Sequence, residues 1–154
     1  MKTVPDTEKA VPAARQRAET PAMAEFSFWL PLRTRNRDTD QFGHVNHAAM
    51  ATLFEESRIA LIFAPDLEAE TRGVDLLVAS ISMQFHKEMR APGDVCLGAC
   101  VTRIGSSSLE IRQAIFAEET CFASAEAVCV LLGKDTRRPA RVSDILRRHL
   151  LDTN

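Results

Sequence analysis

The sequence predicts an α+β fold in which a curled antiparallel sheet buries one long helix. Between residues 47 and 63, apolar residues recur at three- and four-residue spacing, as on the buried side of a helix. From residue 73 to residue 132 the apolar period is two, as in half-buried strands. The short connections between these strands indicate antiparallel hairpins. The predicted order is therefore one strand, the long helix and four strands in a meander.

The first 24 residues are predicted to form a disordered extension of a single domain that covers residues 25–154. This stretch carries three of the seven prolines, mixed with alanine and alternating charges, and no apolar periodicity runs through it. A chain of 154 residues is most simply one domain.

The first predicted strand covers residues 26–35 and belongs at an edge of the sheet. Phe26, Phe28 and Leu30 are separated by Ser27 and Trp29, so the first three are expected to share one face of the strand and the other two the opposite face. Pro31 cannot donate to a neighbouring strand and favours an edge or a bulge. Arginines alternate at positions 33, 35 and 37, and we interpret them as a solvated face that protects the edge, with phosphate binding as the alternative.

The long helix is predicted over residues 47–63. Asn46 is a suitable N-cap, because its short side chain can accept a hydrogen bond from the first turn. Residues 59–63 are apolar all round, which predicts burial on most sides. Pro65 ends the helix. The four later strands are predicted at residues 74–89, 95–104, 109–117 and 121–132, and Ser143 is predicted to cap a last helix over residues 144–151.

Composition excludes several classes of function. The net charge of -2 provides no general basic surface for nucleic acid, and no apolar run reaches the ~20 residues that span a bilayer. The N-terminus lacks the apolar segment of a secretory signal. None of the four cysteines forms a C-x-x-C pair, so we interpret them as core residues of a cytoplasmic protein. The sequence has no G-x-S-x-G, P-loop or dinucleotide motif, and we predict no cofactor.

The loop before the long helix carries the candidate chemistry. Asp40, His44 and His47 lie within eight residues, and the loop leads into a helix N-terminus whose free N–H groups can polarise a carbonyl. A carboxylate beside such a carbonyl suits acyl transfer, as a nucleophile or as the base that activates water. Gly43 allows the backbone to approach a ligand closely. The alternative for Asp40 is a turn aspartate that accepts hydrogen bonds from its own backbone.

Two further interpretations concern metals and the helix. His44 and His47 suggest a metal site, but no second cluster of cysteine, histidine or carboxylate supports one, so we predict no metal. Glu55 and Arg58 have the spacing of a surface pair or of a pair with a partner. If Glu55 is buried, it has to be paired or face a cavity.

Four segments carry a resemblance to a known family: residues 38–47 (DTDQFGHVNH), 53–58 (LFEESR), 85–94 (FHKEMRAPGD) and 104–108 (IGSSS). They resemble the hotdog-fold acyl-CoA thioesterases, specifically the 4-hydroxybenzoyl-CoA thioesterase-like family, over residues 26–150. The resemblance implies a sheet wrapped around a central helix, homodimers or tetramers with active sites between subunits, and hydrolysis of coenzyme A thioesters without metal. It also implies that Asp40 is the catalytic aspartate and that His47 marks the backbone donor and an assisting histidine.

The expected activity is therefore that of an acyl-CoA thioesterase. Alternatives are an acyl-carrier-protein thioesterase, a hotdog dehydratase, which the context of its histidine and carboxylate disfavours, and a non-catalytic acyl-CoA-binding protein. The chain has no tyrosine, and Met50, Leu53 and Phe54 suit a small or aliphatic acyl chain as well as an aromatic one. Residues expected to contact substrate are Gly43, His44, Val45, Asn46 and Glu55.

Overall fold

The computed structural model describes residues 19–152, so residues 1–18 of the predicted extension lie outside the described part. Within residues 19–152 a single five-stranded antiparallel sheet packs against helices on one side. The strands are β1 (Phe28–Thr34), β2 (Val74–Phe85), β3 (Gly93–Ile104), β4 (Ser108–Ala117) and β5 (Thr120–Gly133). The helices are α1 (His47–Ile62), α2 (Glu68–Thr71) and α3 (Asp144–Asp152).

The strand order is β1-β3-β4-β5-β2, which corrects the predicted meander. β2 does not form a hairpin with β3: it pairs with β5 at the far edge, from Val74 opposite Gly133 to Phe85 opposite Ala123. The strand also ends at Phe85 rather than at residue 89, because residues 86–92 carry the chain across one end of the sheet to β3. On this path the carbonyl of Met89 accepts a hydrogen bond from the N–H of Val45 (2.7 Å). The connection therefore contacts the loop before α1.

Helix α1 packs on the inner face of the sheet and starts where the sequence predicts. The side chain of Asn46 accepts a hydrogen bond from the N–H of Ala48 (2.8 Å), which confirms the N-cap. Met50 and Phe54 belong to one buried cluster, and Leu61 belongs to another nearer the C-terminal end of the helix. The second half of the helix is buried on most sides, as predicted, and Ile59 is its exposed apolar residue.

The outer face of the sheet is covered near β1 by the segment that precedes this strand. Phe26 is buried there against Trp29 and Phe116, with ring centroids about 6 Å apart. The chain bends at Ser27, so Phe26 lies on the opposite face from Phe28, and the prediction that they share a face was wrong. Gly98 makes this packing possible, because a Cβ atom there would lie 2.7 Å from Cγ of Phe26.

The last helix closes the end of the core opposite the α1 N-terminus. Ser143 caps α3 by accepting a hydrogen bond from the N–H of Leu146 (3.1 Å), as predicted. Arg147 donates to the carbonyls of Ile104 and Gly105 and so fixes the helix to the β3–β4 turn. None of the helices within residues 19–152 has the length and apolar character to cross a membrane. The four cysteines are free, and burial raises the pKa of Cys121 to about 11.

Candidate active site

The loop from residue 38 to residue 46 is a closed turn whose ends pair with each other. Thr39 and Val45 form an isolated antiparallel bridge. Inside it, the N–H of Asp40 donates to the carbonyl of His44 (2.8 Å), and the N–H of Gly43 donates to the carbonyl of Asp40 (3.1 Å). Gly43 has φ +80°, a left-handed conformation that glycine adopts without steric cost. The turn therefore has a defined shape before any ligand binds.

The carboxylate of Asp40 is anchored through one of its two oxygens. Its Oδ1 accepts hydrogen bonds from the N–H groups of Phe42 (2.8 Å) and His44 (3.2 Å). The predicted alternative, a turn aspartate bonded to its own backbone, is thus present in the structure. Oδ2 accepts no hydrogen bond from residues 19–152, and the side chain is half-buried in a cleft. One oxygen positions the group and leaves the other available.

The N-terminus of α1 faces the same cleft. The capping side chain of Asn46 takes the N–H of Ala48, whereas the N–H of His47, the first helical residue, has no acceptor within the helix. The aligned peptide dipoles give this end a partial positive charge. The imidazole of His47 is exposed at the mouth of the cleft. A carbonyl oxygen placed here would meet a backbone donor at a positive helix end.

The cleft is open and has a volume of about 380 Å³. The Asp40 loop and the start of α1 form one wall, and the end of β2 with the connection to β3 forms the other. Met50 and Phe85 provide apolar surface, and Phe85 is 53% exposed. The lining residues are Asp40, His44, Val45, His47, Met50 and the run from residue 85 to residue 89.

The second wall is the part of the site that sequence reasoning did not assign. His44 Nε2 lies 3.2 Å from a carboxylate oxygen of Glu88, which joins the two walls. His86 Nε2 lies 2.9 Å from the hydroxyl oxygen of Ser124 on β5. Lys87 lines the cleft between them. The signal in the sequence was the polar triplet at residues 86–88, which interrupts the alternation of the predicted strand and marks its end.

The structure brings together four of the seven predicted site residues. Asp40, His44, Val45 and His47 line the cleft. The other three do not line it: Gly43 shapes the turn, Asn46 caps the helix, and Glu55 lies exposed two turns further along α1. No group of three or more histidine, cysteine or acidic side chains capable of holding a metal ion occurs in the described part of the chain.

Comparison with known proteins decides the family. A family model described as the thioesterase superfamily matches residues 42–121, just over half of the chain. The chain belongs to this superfamily. The curled sheet packed on one long helix is the hotdog fold predicted from the sequence, and solved structures share it.

Three relatives illustrate how far the similarity to the chain extends. The protein YsmA of Bacillus subtilis (strain 168) is 27% identical over 130 residues, which cover 83% of this chain and 88% of YsmA. The PA5185 protein of Pseudomonas aeruginosa strain PAO1 superposes with a TM-score of 0.79 at 26% identity, over 87% of this chain and 96% of the other. A thioesterase from Thermus thermophilus, solved in complex with coenzyme A and Zn, superposes with a TM-score of 0.71 at 26% identity, over 83% and 94% of the two chains.

Proposed function

We propose that this protein is an acyl-CoA thioesterase that hydrolyses a coenzyme A thioester to a free acid and the thiol. In this reaction the oxygen of water bonds to the thioester carbonyl carbon, the carbon–sulfur bond breaks, and the sulfur leaves as a thiolate that takes up a proton. Membership of the thioesterase superfamily and the similarity to a thioesterase with bound coenzyme A support this reaction class.

Asp40 is the carboxylate for this chemistry, as nucleophile or as general base. The observation that carries the proposal is its anchoring: Asp40 lines the cleft, the N–H groups of Phe42 and His44 hold its Oδ1, and its Oδ2 accepts no hydrogen bond from residues 19–152. Holding a catalytic group in place before substrate binds removes part of the entropic barrier. An ionised carboxylate can attack a carbonyl or accept a proton from water.

The N–H of His47 is the donor for the thioester oxygen in this proposal. As the carbonyl carbon becomes tetrahedral, negative charge develops on that oxygen, and a fixed backbone donor stabilises it more than it stabilises the substrate. Loss of one such donor typically lowers kcat by about 100- to 1,000-fold. Met50 and Phe85 would contact the apolar part of the acyl group.

The proposal includes a homodimer formed through β2. This strand is an edge of the sheet, and its other side pairs with no strand within residues 19–152. Val78, Ile81 and Phe85 lie opposite the inward-facing residues of β5, so they point toward the helix side of the sheet, and all three are exposed. A second copy that extends the sheet through β2 would cover these side chains and narrow the open cleft beside Phe85.

Replacing Asp40 tests the chemical role. Asp40→Asn keeps the size of the side chain and an oxygen that can accept the hydrogen bonds of the loop, so the fold should be retained. We expect thioester hydrolysis to fall by at least about a hundredfold, since general-base catalysis contributes that much or more. The measurement is thiol release from short, long and aromatic acyl-CoA esters and from acyl carrier protein, with circular dichroism to verify folding.

Asp38→Asn is the matched control. Asp38 is the other aspartate of the same triplet and accepts a hydrogen bond from the N–H of Arg35 outside the cleft. Activity should stay within a few-fold of the natural protein. An Asp40→Asn variant with full turnover on every ester that the natural protein cleaves would remove Asp40 from the mechanism. Tight binding of these esters by the natural protein without acid release would contradict the enzyme function itself.

A further inference from the structure

Arg58 is a cation in the core of the protein. The residue is only 4% exposed and lies between α1 and the sheet. Its Nη1 donates to Oε1 of Gln113 on β4 (2.9 Å), and Nε2 of Gln113 donates to the carbonyl of Phe54 in α1 (2.8 Å). Burial lowers the pKa of the Arg58 guanidinium. A buried charge is costly unless a counter-charge compensates it, so this arrangement requires a partner.

Gln113 satisfies one of the five N–H donors of this guanidinium. No other hydrogen bond and no ion pair from Arg58 is present between residues 19 and 152. Ser57 Oγ is the one fully buried side-chain nitrogen or oxygen without a partner in this part of the chain. The remaining Arg58 nitrogens are therefore not sealed inside the core but reach a narrow strip of surface.

Glu55 is a candidate counter-charge, three residues earlier on the same helix. Its carboxylate is exposed and forms no hydrogen bond or ion pair within the described residues, although it is close enough to raise the pKa of Arg58. Within one chain the two side chains do not meet, because Arg58 extends under the helix to Gln113. Each chain thus has an incompletely paired cation and an unpaired carboxylate side by side.

Glu55 and Arg58 lie at the same height along the sheet as the middle of β2. The N-terminal half of α1 shares a buried cluster with Ala123, which pairs with Phe85 at one end of β2. The C-terminal half shares a cluster with Leu131, which pairs with Leu76 near the other end. α1 therefore runs antiparallel to β2. If two β2 strands pair antiparallel about a two-fold axis, that axis crosses the sheet at the same height as the middle of both helices.

We propose that Arg58 of each copy pairs with Glu55 of the other across this axis, as two equivalent ion pairs in the interface. The inference rests on the homodimer proposed above and adds its polar centre. A two-fold interface is self-complementary, so a cation and a carboxylate that lie side by side near the axis would each face the opposite charge of the copy. The four charges sum to zero, which compensates the cation that α1 buries.

These ion pairs would also fix the register of the two edge strands. A slip of one residue would turn the apolar side chains of β2 to the other face, so the apolar pattern excludes it, whereas a slip of two residues keeps the same face. A shift of two residues along paired strands moves one copy by roughly 7 Å relative to the other, which separates the charges of the pairs. In the proposed dimer the second copy narrows the cleft, so the register that pairs these charges also fixes the shape of the active site.

Two single reversals of charge test this pairing. Glu55→Arg leaves positions 55 and 58 both basic, and Arg58→Glu leaves both acidic, so each variant should dimerise at least about a hundredfold more weakly than the natural protein. Mixed one to one, the two variants restore both opposite-charge contacts. We expect a heterodimer in native mass spectrometry, with one variant tagged to separate the masses, and sedimentation velocity should show dimers only in the mixture.

Glu56→Arg is the matched control, because Glu56 is the neighbouring exposed carboxylate on a different side of α1. It should dimerise like the natural protein. If Arg58→Glu fails to fold, Glu55→Arg alone tests the ion pairs. Glu55 is exposed within one chain, so this variant should fold. A Glu55→Arg dimer as tight as that of the natural protein overturns the ion pairs while leaving the dimer intact. A natural protein that is monomeric at all concentrations overturns the dimer itself, and loss of hydrolysis in Asp40→Asn remains an independent result.

Discussion

The two edges of the sheet differ in almost every property that controls self-association. β1 has seven residues and carries Pro31, which lacks an N–H, and Arg33, which forms an exposed ion pair with Asp94 on β3. β2 has twelve residues, with no proline, lysine or arginine among them. Its exposed apolar residues are Leu77, Val78, Ile81 and Phe85. Natural proteins protect free edges with short strands, proline and charge, and β1 has these features.

The difference fits the proposed homodimer, in which β1 is a true edge and β2 is an edge only within one chain. An apolar strand of this length would aggregate if it stayed exposed, so a defined partner is the expected arrangement. The candidate active site lies at the end of β2, beside Phe85, and not at β1. The unprotected edge and the candidate catalytic residues are therefore on the same side of the molecule, so the proposed dimer would link assembly to activity.

A charge on the unprotected edge should have the largest effect. Ile81 is 40% exposed on the helix side of β2, near the middle of the strand. Ile81→Lys would place two unpaired ammonium groups in the two-fold interface, one from each copy. We expect the dimer dissociation constant to rise by about a hundredfold or more. Analytical ultracentrifugation measures this directly. Specific activity should fall on dilution at concentrations where the natural protein stays fully active.

Val128→Lys makes the same change away from the edge. Val128 is also partly exposed, but it lies on β5 and on the outer face of the sheet. This variant should associate like the natural protein. Undiminished self-association of Ile81→Lys would show that β2 is not the interface, and the contrast between the two edges would lose its functional meaning.

On the β1 side of the sheet, substitutions should change the free energy of unfolding through packing rather than through charge. Gly98 on β3 lies under Phe26, and a new Cβ would be 2.7 Å from Cγ and 2.9 Å from Cβ of the Phe26 side chain. Gly98→Ala should lower the free energy of unfolding by about 1–3 kcal/mol, the usual cost of overpacking. Denaturant titration measures it, and the dimer dissociation constant should not change.

Gly73→Ala is the control for this packing effect. A Cβ at Gly73 meets no atom within 4 Å, and the residue has no left-handed conformation. Its free energy of unfolding should stay close to that of the natural protein. Equal stability of the two alanine variants would mean that Phe26 moves away freely and does not seal the outer face.

The local features of α1 were predicted correctly, whereas the pairing of distant strands was not. The period of α1 and the N-cap at Asn46 are contained in a few adjacent residues, and both are confirmed. The pairing of β2 with β5 depends on contacts between residues about 50 apart along the chain, which no local pattern encodes. The turn residues at 91–93 indicate a change of direction equally well for a hairpin and for a crossing connection.

The candidate site divides in the same way. Asp40, His44 and His47 were identified because they lie together in one loop. The wall from Phe85 to Met89 is 45 residues away from Asp40 in sequence and reaches the cleft through the crossing connection. Glu55 was assigned to substrate from the helix motif, whereas the structure places it outside the cleft. Which face of a helix meets a cleft depends on packing that the motif does not contain.

The smallest predicted effect concerns the contacts of Glu25 that hold the segment before β1 in place. The carboxylate of Glu25 accepts a hydrogen bond from the N–H of Ala22 (2.7 Å) and lies 2.6 Å from a guanidinium nitrogen of Arg112. The hydrogen bond from Ala22 and the charge of Arg112 hold the pKa of Glu25 below its usual range. Both side chains are more than one-third exposed, so solvent screens the pair. Glu25→Gln should lower the free energy of unfolding by less than about 1 kcal/mol at pH 7.

The pH dependence separates this contribution from packing. Because the folded-state pKa is depressed, the stabilisation is complete above the ordinary glutamate pKa of about 4.3 and is lost as the pH falls through the lower folded value. The gap between the natural protein and Glu25→Gln should therefore close with falling pH, in denaturant titrations from pH 7 to pH 3. Glu119→Gln, in the exposed β4–β5 turn, should show no gap at any pH. If the difference in the free energy of unfolding between the natural protein and Glu25→Gln stays constant with pH, the effect comes from the shape of the side chain. The ionised carboxylate would then not be the group that holds the segment before β1 against the sheet.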